Sequence, residues 1–422
     1  MAEKKRLALQ GGEKAVPDGS IKEWPPINEI DRKYVMKALE GPVYTYGPNY
    51  KAFEKEFAGW NGNKYSIMTN SGTSALHMAV AACGCGSGDE VIVPAYSWSS
   101  STTCILHHNA IPVFVDIDYK TMNIDTGKIE AAITPRTRAL LIVHLHGLSV
   151  NMEKVCRIAK KHNLKVIEDS CQSHGAEFKN KKAGLWGDCA AFSLNQNKCL
   201  TSGEGGMFVT DNEEMLETAK MLWSFGESRK PDESRDYHAY ALGWMYRSSE
   251  LTAAFGRAQL SKLDRYLKIQ EENAAVLLDG IKDIPGLIPP FVPAGHKHTW
   301  YNFTVHIDPV KLGYPGRDSA IRDAILDALK AEGAQCGIWQ KYILPAMTVF
   351  QAKNAYGKGC PWTCPNAGKV DYSPENYPVA QKHCDTHFGM TKPLRAPNGK
   401  KTARLLVDAF KKVFDNVEKL KV

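Results

Sequence analysis

Four short segments carry residue types that could do chemistry together. Lys198 follows the apolar run Ala190 to Leu194 and precedes the turn Gly203-Glu204-Gly205-Gly206. A lysine just past a buried strand can reach back to the sheet edge, where desolvation favours a neutral amine and Schiff-base chemistry. For an isolated lysine the ordinary alternative is a solvated surface position. Asp169 ends the run Val166-Ile167-Glu168-Asp169. Parallel sheets bind ligands beyond the carboxyl ends of their strands, and a carboxylate there could pair with a cationic ring nitrogen, making a pyridine ring a better electron sink. Alone, it could equally cap the next helix. Asn70-Ser71-Gly72-Thr73-Ser74 opens an apolar helical stretch. Its free amides suit a phosphate, although a plain Ser/Thr cap looks the same. Pro94-Ala95-Tyr96-Ser97-Trp98 places aromatics past another strand. One of them could stack on a planar ring or could simply fill the core.

These segments need a scaffold that brings strand ends together. Between residues 60 and 215 short apolar runs alternate with helical patterns. Strands are predicted at Val91 to Ala95, Pro112 to Ile117, Ala139 to His144, Lys165 to Ile167, Ala190 to Leu194 and Met207 to Thr210. They show little alternation, as strands covered on both faces do. Helices are predicted at Thr73 to Cys83 and Met152 to Lys161. The pattern implies an α/β fold with a mainly parallel central sheet covered by helices. One long helix is read from Ser249 to about Ile281, and the domain boundary falls near it. The large domain would span residues 1–275, including an N-terminal arm, and a smaller C-terminal α+β domain residues 276–422. In the latter, Asn302 to Ile307 reads as a strand and Ala320 to Glu332 as a helix. The stripe Leu405, Leu406, Ala409, Phe410, Val413, Phe414 and Val417 reads as core packing. Gln351 to Asn376 reads as a long loop.

Composition excludes several classes. The net charge of +7 comes from 53 basic and 46 acidic residues spread along the chain. Dense basic runs are limited to Lys4-Lys5-Arg6, Lys179 to Lys182 and Lys400-Lys401. No nucleic-acid role is expected. Eleven scattered cysteines point to reduced thiols and a cytoplasmic setting. Cys360 and Cys364 have a C-x3-C spacing, with His383, Cys384 and His387 beyond, but no second pair completes a zinc motif. No metal site is assigned. Met1 to Leu9 lacks an apolar segment and no run of 18 apolar residues occurs, so neither secretion nor a membrane span is expected. Gly84-Cys85-Gly86-Ser87-Gly88 follows a helix and precedes a strand, the reverse of a dinucleotide fingerprint.

Taken in order, the motifs resemble the DegT/DnrJ/EryC1/StrS family of sugar and cyclitol aminotransferases, within the fold type I pyridoxal-phosphate (PLP) enzymes. The resemblance runs from about Gly41 to at least Asp264. It includes Gly47-Pro48, Phe53-Glu54-Lys55-Glu56-Phe57, Ser71-Gly72-Thr73-Ser74-Ala75-Leu76, the Pro94 to Trp98 turn and Pro112-Val113-Phe114-Val115-Asp116. Most specific are Glu168-Asp169-Ser170-Cys171-Gln172-Ser173-His174-Gly175-Ala176 and Ser193 to Gly206. Glu250 to Leu260 also fits. The resemblance implies that Lys198 forms the Schiff base with PLP and that Asp169 pairs with the pyridinium nitrogen. It implies that Gln172 lies against the cofactor, that Trp98 stacks on its ring, and that Gly72, Thr73 and Ser193 bind the phosphate. It assigns Glu204 no role. It further implies a homodimer with shared active sites. The chain departs from the family at Gly243-Trp244-Met245-Tyr246-Arg247. Met245 stands where the family carries an Asn that reaches the neighbouring subunit's phosphate, and a thioether cannot replace that hydrogen bond. Leu194-Asn195 is a second departure.

The implied reaction moves an amino group from glutamate or glutamine to the keto group of a nucleotide-linked ketosugar. A free keto-cyclitol of the inosose type is the main competing acceptor. Relatives that replace the lysine with His act as sugar dehydratases, and Lys198 argues against that chemistry here. A non-catalytic ligand sensor is a third reading, for which no DNA-binding segment is seen before residue 40. Trp339-Gln340, Leu344-Pro345 and His298 to Tyr301 could shape the pocket or belong to the core.

Overall fold

The computed structural model describes residues 6–41, 46–228 and 237–420. Lys4 and Lys5 of the first basic run lie outside them. The apolar runs form β1 (Tyr65–Thr69), β2 (Glu90–Pro94), β3 (Ile111–Val115), β4 (Thr137–Val143) and β5 (Lys165–Asp169). A small hairpin, β6 (Glu177–Phe178) and β7 (Lys181–Lys182), separates these from β8 (Cys189–Ser193) and β9 (Gly206–Thr210). The seven long strands make one sheet ordered β1-β9-β8-β5-β4-β2-β3. Neighbours from β8 through β3 pair in parallel, and β9 is antiparallel to both β8 and β1. β2 and β8 are buried at every position, as strands covered on both faces must be. Parallel pairing puts the ends of β2, β4, β5 and β8 on one edge, and all four chemical segments fall there.

Helices cover the sheet. They are α1 (Glu29–Leu39), α2 (Pro48–Asn61), α3 (Gly72–Ala82), α4 (Ser100–Leu106), α5 (Met152–His162), α6 (Glu213–Trp223), α7 (Glu250–Leu260) and α8 (Leu263–Ile281). α3 is apolar nearly all round and is buried from Ser74 to Val80, which seats it between the sheet and α4 and α6. The single helix expected from Ser249 to Ile281 is two. The chain leaves helical geometry at Lys262 (φ −110°, ψ −8°), whose amine bonds both carboxylate oxygens of buried Asp31 at 2.6 Å.

Beyond α8 come β10 (Leu287–Ile288), β11 (His296–Lys297), β12 (Phe303–Ile307), α9 (Asp318–Ala331), α10 (Thr348–Gln351), α11 (Pro378–Thr386), β13 (His387–Met390) and α12 (Lys400–Phe414). β10, β12 and β13 form an antiparallel sheet. A second apolar core gathers on it from α8, α9 and α12, joined by Leu7 and Val16 of the N-terminal arm. The helical stripe in α12 is part of this core, though Val417 lies past its end. The residues between Ile343 and Cys384 turn back onto the first core, where Phe350, Tyr372 and Tyr377 pack on Phe114 of the edge strand β3. The loop read over 351–376 starts at the last residue of α10 and is otherwise irregular apart from a 3-10 helical turn at Pro374–Asn376. Among the described residues no helix is long and apolar enough to cross a membrane.

Candidate active site

The first element is a close contact between α3 and β8. Gly72 is the first residue of α3, and Ser71 caps it by accepting from the Ser74 amide at 3.1 Å. The amides of Gly72 and Thr73 are therefore left without intrahelical acceptors. A Cβ on Gly72 would lie 2.7 Å from the Ser193 Cβ and 3.0 Å from the Cys171 Sγ. Only glycine lets the helix end approach the end of β8 this closely. Gly206, next to Ser193 across the ladder, backs onto the Ser71 carbonyl for the same reason. Gly72, Ser193 and Cys171 are thus brought together, while the Thr73 side chain is exposed in the same helical turn.

Asp169 is the last residue of β5 and is buried. Its Oδ2 accepts from the Ser101 hydroxyl at 2.7 Å and its Oδ1 from the Cys171 amide at 3.2 Å. Ser101 sits in α4, so the turn bearing Trp98 is tied to Asp169 through it, and the Ser101 amide bonds the Trp98 carbonyl. The preceding Glu168 points to the other face. It accepts from His144 at 2.8 Å and from the amides of Gly184, Trp186 and Gly187. Burial opposes its charge, but His144 and these amides hold it below the usual carboxylate range. Glu168 anchors the strand and Asp169 faces the site.

Gln172 is buried, with its Oε1 accepting from the His146 amide at 2.9 Å. His146 adopts a left-handed backbone (φ 58°) after β4, and burial pushes its imidazole well below its ordinary range. Lys198 is half-buried, its amine 4.7 Å from the centre of the Tyr301 ring. Its charge is felt on His174, Cys171 and Cys199. Burial, then Lys198, then Arg395 lower His174 to about 3. Burial and the charge of Asp169 raise the Cys171 thiol, and Lys198 opposes them. The amine and the carboxylate therefore act on the same small space around Cys171.

Trp98 is 53% exposed on the rim, its ring 6.0 Å from that of Trp339. Trp339 also meets Tyr96 and His146. Leu344 belongs to the core, its amide bonding the Ala95 carbonyl at 2.8 Å. Glu204 accepts from the Asn195 side chain. Met245 is 49% exposed, and its backbone carbonyl receives a 3.4 Å bond from Asn70. Cys360 and Cys364 lie 3.5 Å apart as thiols, whereas His383 is buried against His306 at 2.8 Å. Among the described residues no group of three or more metal-binding side chains forms. Sequence reasoning missed Ser101, Trp24 and Arg395. None sits in a motif that signals its role.

The donor set fits a phosphorylated pyridine. A glycine cradle with free helix amides meets the serine that ends β8, a buried acid lies near it, and the charges of that acid and of the Lys198 amine both bear on Cys171. Fold and site together are those of a PLP-dependent aminotransferase. The model of the DegT/DnrJ/EryC1/StrS aminotransferase family matches residues 25–375, and the chain belongs to that family. It is 37% identical to the GDP-perosamine synthase of Caulobacter vibrioides, the match covering 73% of this chain and 81% of that protein. It is 34% identical to the L-glutamine:2-deoxy-scyllo-inosose aminotransferase of Streptomyces lividus, over 77% of this chain and 78% of that one. The crystal structure of 3-amino-5-hydroxybenzoic acid synthase superposes with a TM-score of 0.81 at 28% identity, covering 93% and 98% of the two chains.

Proposed function

We propose that this enzyme moves an amino group from L-glutamate or L-glutamine to the keto group of a nucleotide-linked ketosugar, using Lys198 as the residue that bonds PLP. The observation that carries this reading is the grouping of Asp169, Lys198 and the Gly72–Ser193 cradle at one sheet edge. When bound, PLP supplies the electron sink that lets a proton leave the donor's α-carbon. The chain supplies the rest. Asp169 keeps a proton on the ring nitrogen, and Ser101 fixes that carboxylate. The amides of Gly72 and Thr73 and the hydroxyl of Ser193 take the phosphate. Gln172 and Trp98 flank the ring. The Lys198 amine would serve as the general base and acid that carries a proton between the donor's α-carbon and the cofactor's C4′.

The ketosugar is favoured by the kinship with a GDP-sugar enzyme. A free keto-cyclitol is the second reading, favoured by the inosose aminotransferase at comparable identity. Further parts of the proposal are a homodimer with shared sites, a cytoplasmic location, and a division into a PLP-binding domain over 1–275 and a smaller domain over 276–422. Two measurements test the core of it. Lys198→Ala should lose the visible Schiff-base absorbance and turnover; a variant that kept both would defeat the assignment. The pyridoxamine form, mixed with a panel of ketosugars and keto-cyclitols, should regain the PLP spectrum only with the true acceptor class.

A further inference from the structure

The peptide that carries Lys198 is held by side chains from the two far ends of the chain. The indole Nε1 of Trp24 donates to the Lys198 carbonyl at 3.1 Å. Arg395 Nη1 donates to the preceding carbonyl, that of Asn197, at 2.7 Å. Arg395 Nη2 donates to the Tyr301 carbonyl at 3.0 Å. The guanidinium carbon lies 5.3 Å from the ring of Trp24 and 5.3 Å from that of Tyr301. Tyr301 is the ring that meets the Lys198 amine at 4.7 Å. One arginine thus fixes both the backbone behind the lysine and the aromatic ring in front of its amine.

The supports of this clamp are themselves tied down. Asn273 of α8 donates to the carbonyls of Leu394 and Asn398 at 2.9 and 3.0 Å, holding the turn that bears Arg395. Asn398 accepts from the Lys22 amide at 2.8 Å, and Trp24 packs edge-on against Tyr266 at 5.4 Å. The arm, the turn and α8 are thus linked to one another behind the loop of Lys198.

Energetics argue that this arrangement is more than filler. Arg395 is 1% exposed, its Nε has no hydrogen-bond partner, and among the described residues no carboxylate pairs with it. Burying an unpaired guanidinium is costly, and an apolar side chain would fill the space at less expense. Such costs are retained where a site needs them. The planar fork of arginine also spans two carbonyls at fixed geometry, which a lysine cannot do.

We propose that Arg395, seconded by Trp24, is a positioning residue that holds Lys198 where it can bond the cofactor's aldehyde; this rests on the reading of Lys198 given above. The test uses the difference between two forms of the cofactor. PLP binds through Lys198, whereas pyridoxamine phosphate cannot bond it and uses only the remaining contacts. The full-length apoenzyme and its variants are titrated with each. A hydrogen bond to a charged group contributes about 1.5–3 kcal/mol, so Arg395→Met should weaken PLP about 10- to 100-fold. Pyridoxamine phosphate should stay within about twofold, a factor smaller than any lost hydrogen bond. The visible circular dichroism of the PLP form should weaken, kcat should fall, and the donor KM should hold. Arg395→Lys, keeping the charge and one carbonyl contact, should recover part of the loss. Trp24→Phe keeps the ring and removes only the N–H; it should cost PLP about threefold, as a single neutral bond does. This milder variant decides the matter if Arg395→Met does not fold. Equal losses for both cofactor forms, or PLP affinity unchanged in Arg395→Met and Trp24→Phe, would overturn the proposal. Lys198→Ala separates the layers. If it keeps the visible band, the reading of Lys198 fails. If it loses the band while the clamp variants match wild type, only the clamp fails.

Discussion

Ser101 donates its hydroxyl to the Oδ2 of Asp169 at 2.7 Å, joining the first turn of a helix after β2 to the last residue of β5. The bond fixes one carboxylate oxygen and leaves the acid oriented by two donors, Ser101 and the Cys171 amide. Ser101→Ala should slow the half-reaction with donor about tenfold, the loss of one hydrogen bond to a charged group. Asp169→Asn removes the charge itself and should cost on the order of 10²–10³ in the same step. Single-turnover absorbance with glutamate measures both, and an Asp169→Asn enzyme as fast as wild type would remove the acid from the mechanism.

The cradle at Gly72 makes a steric prediction. Alanine there places a methyl 2.7 Å from the Ser193 Cβ and 3.0 Å from the Cys171 Sγ, with little freedom to yield because Ser193 ends a buried strand. Overpacking of this kind costs about 1–3 kcal/mol. If the gap holds the phosphate, most of that cost should appear as cofactor affinity, roughly a tenfold rise in Kd. A titration of the Gly72→Ala apoenzyme checks it, with thermal unfolding of the apoenzyme as the control for a general loss of stability.

The sequence was most informative where physics is local. β2, β4, β5, β8 and β9 were readable as dense apolar runs because burial on both faces removes alternation. β1 was not, since Tyr65-Ser66-Ile67-Met68-Thr69 is short and half-polar, and its partner β9 lies some 140 residues on. The break at Lys262 carries neither Gly nor Pro, and the residue's buried partner, Asp31, is distant in sequence. The same reasoning divides the candidate site. Asp169, Lys198 and Gly72 are each ambiguous by position alone, and become legible only because their motifs follow one another in the family's order. Ser101, Trp24 and Arg395 sit in unremarkable sequence and reach the site only through the tertiary fold.

The ion pair between Lys262 and Asp31 should dominate the stability of the α1–α7 corner. Both side chains are almost fully buried, at 7% and 2% exposure, and Gln259 also donates to Asp31 at 2.7 Å. Removing one member leaves the other charged and unpaired, a loss of about 3–5 kcal/mol. Lys262→Met should therefore lower the urea midpoint strongly. The double change Asp31→Leu with Lys262→Met should recover part of it, because no buried charge is left unpaired, while the Gln259 side chain and the Asn28 amide lose their acceptor. A double variant no better than the single would mean that the turn at 261–262 needs the charges for its shape.

Low pH should destabilise this protein through its buried histidines. Burial, followed by the charges of neighbouring groups, lowers His298, His306 and His174 to about 3; burial lowers His387 to about 4 against a hydrogen bond to the His383 carbonyl. An unfolded histidine takes up its proton near 6.5, well before the folded one. Between these values the unfolded state binds more protons, so stability is complete above about 6.5 and is lost as pH falls toward 4. Each such group adds a slope of up to about 1.4 kcal/mol per pH unit. His174 allows a clean test, because neither of its ring nitrogens has a hydrogen-bond partner and its ring already packs 5.3 Å from Phe192. Replacing it with Phe gives up no hydrogen bond and removes one titrating site. In the apoenzyme, His174→Phe should unfold within about 1 kcal/mol of wild type at pH 8, as near-isosteric core changes do. It should be the more stable of the two at pH 5.5. Urea midpoints at the two pH values decide it: parallel losses in both proteins would mean that His174 does not titrate on unfolding.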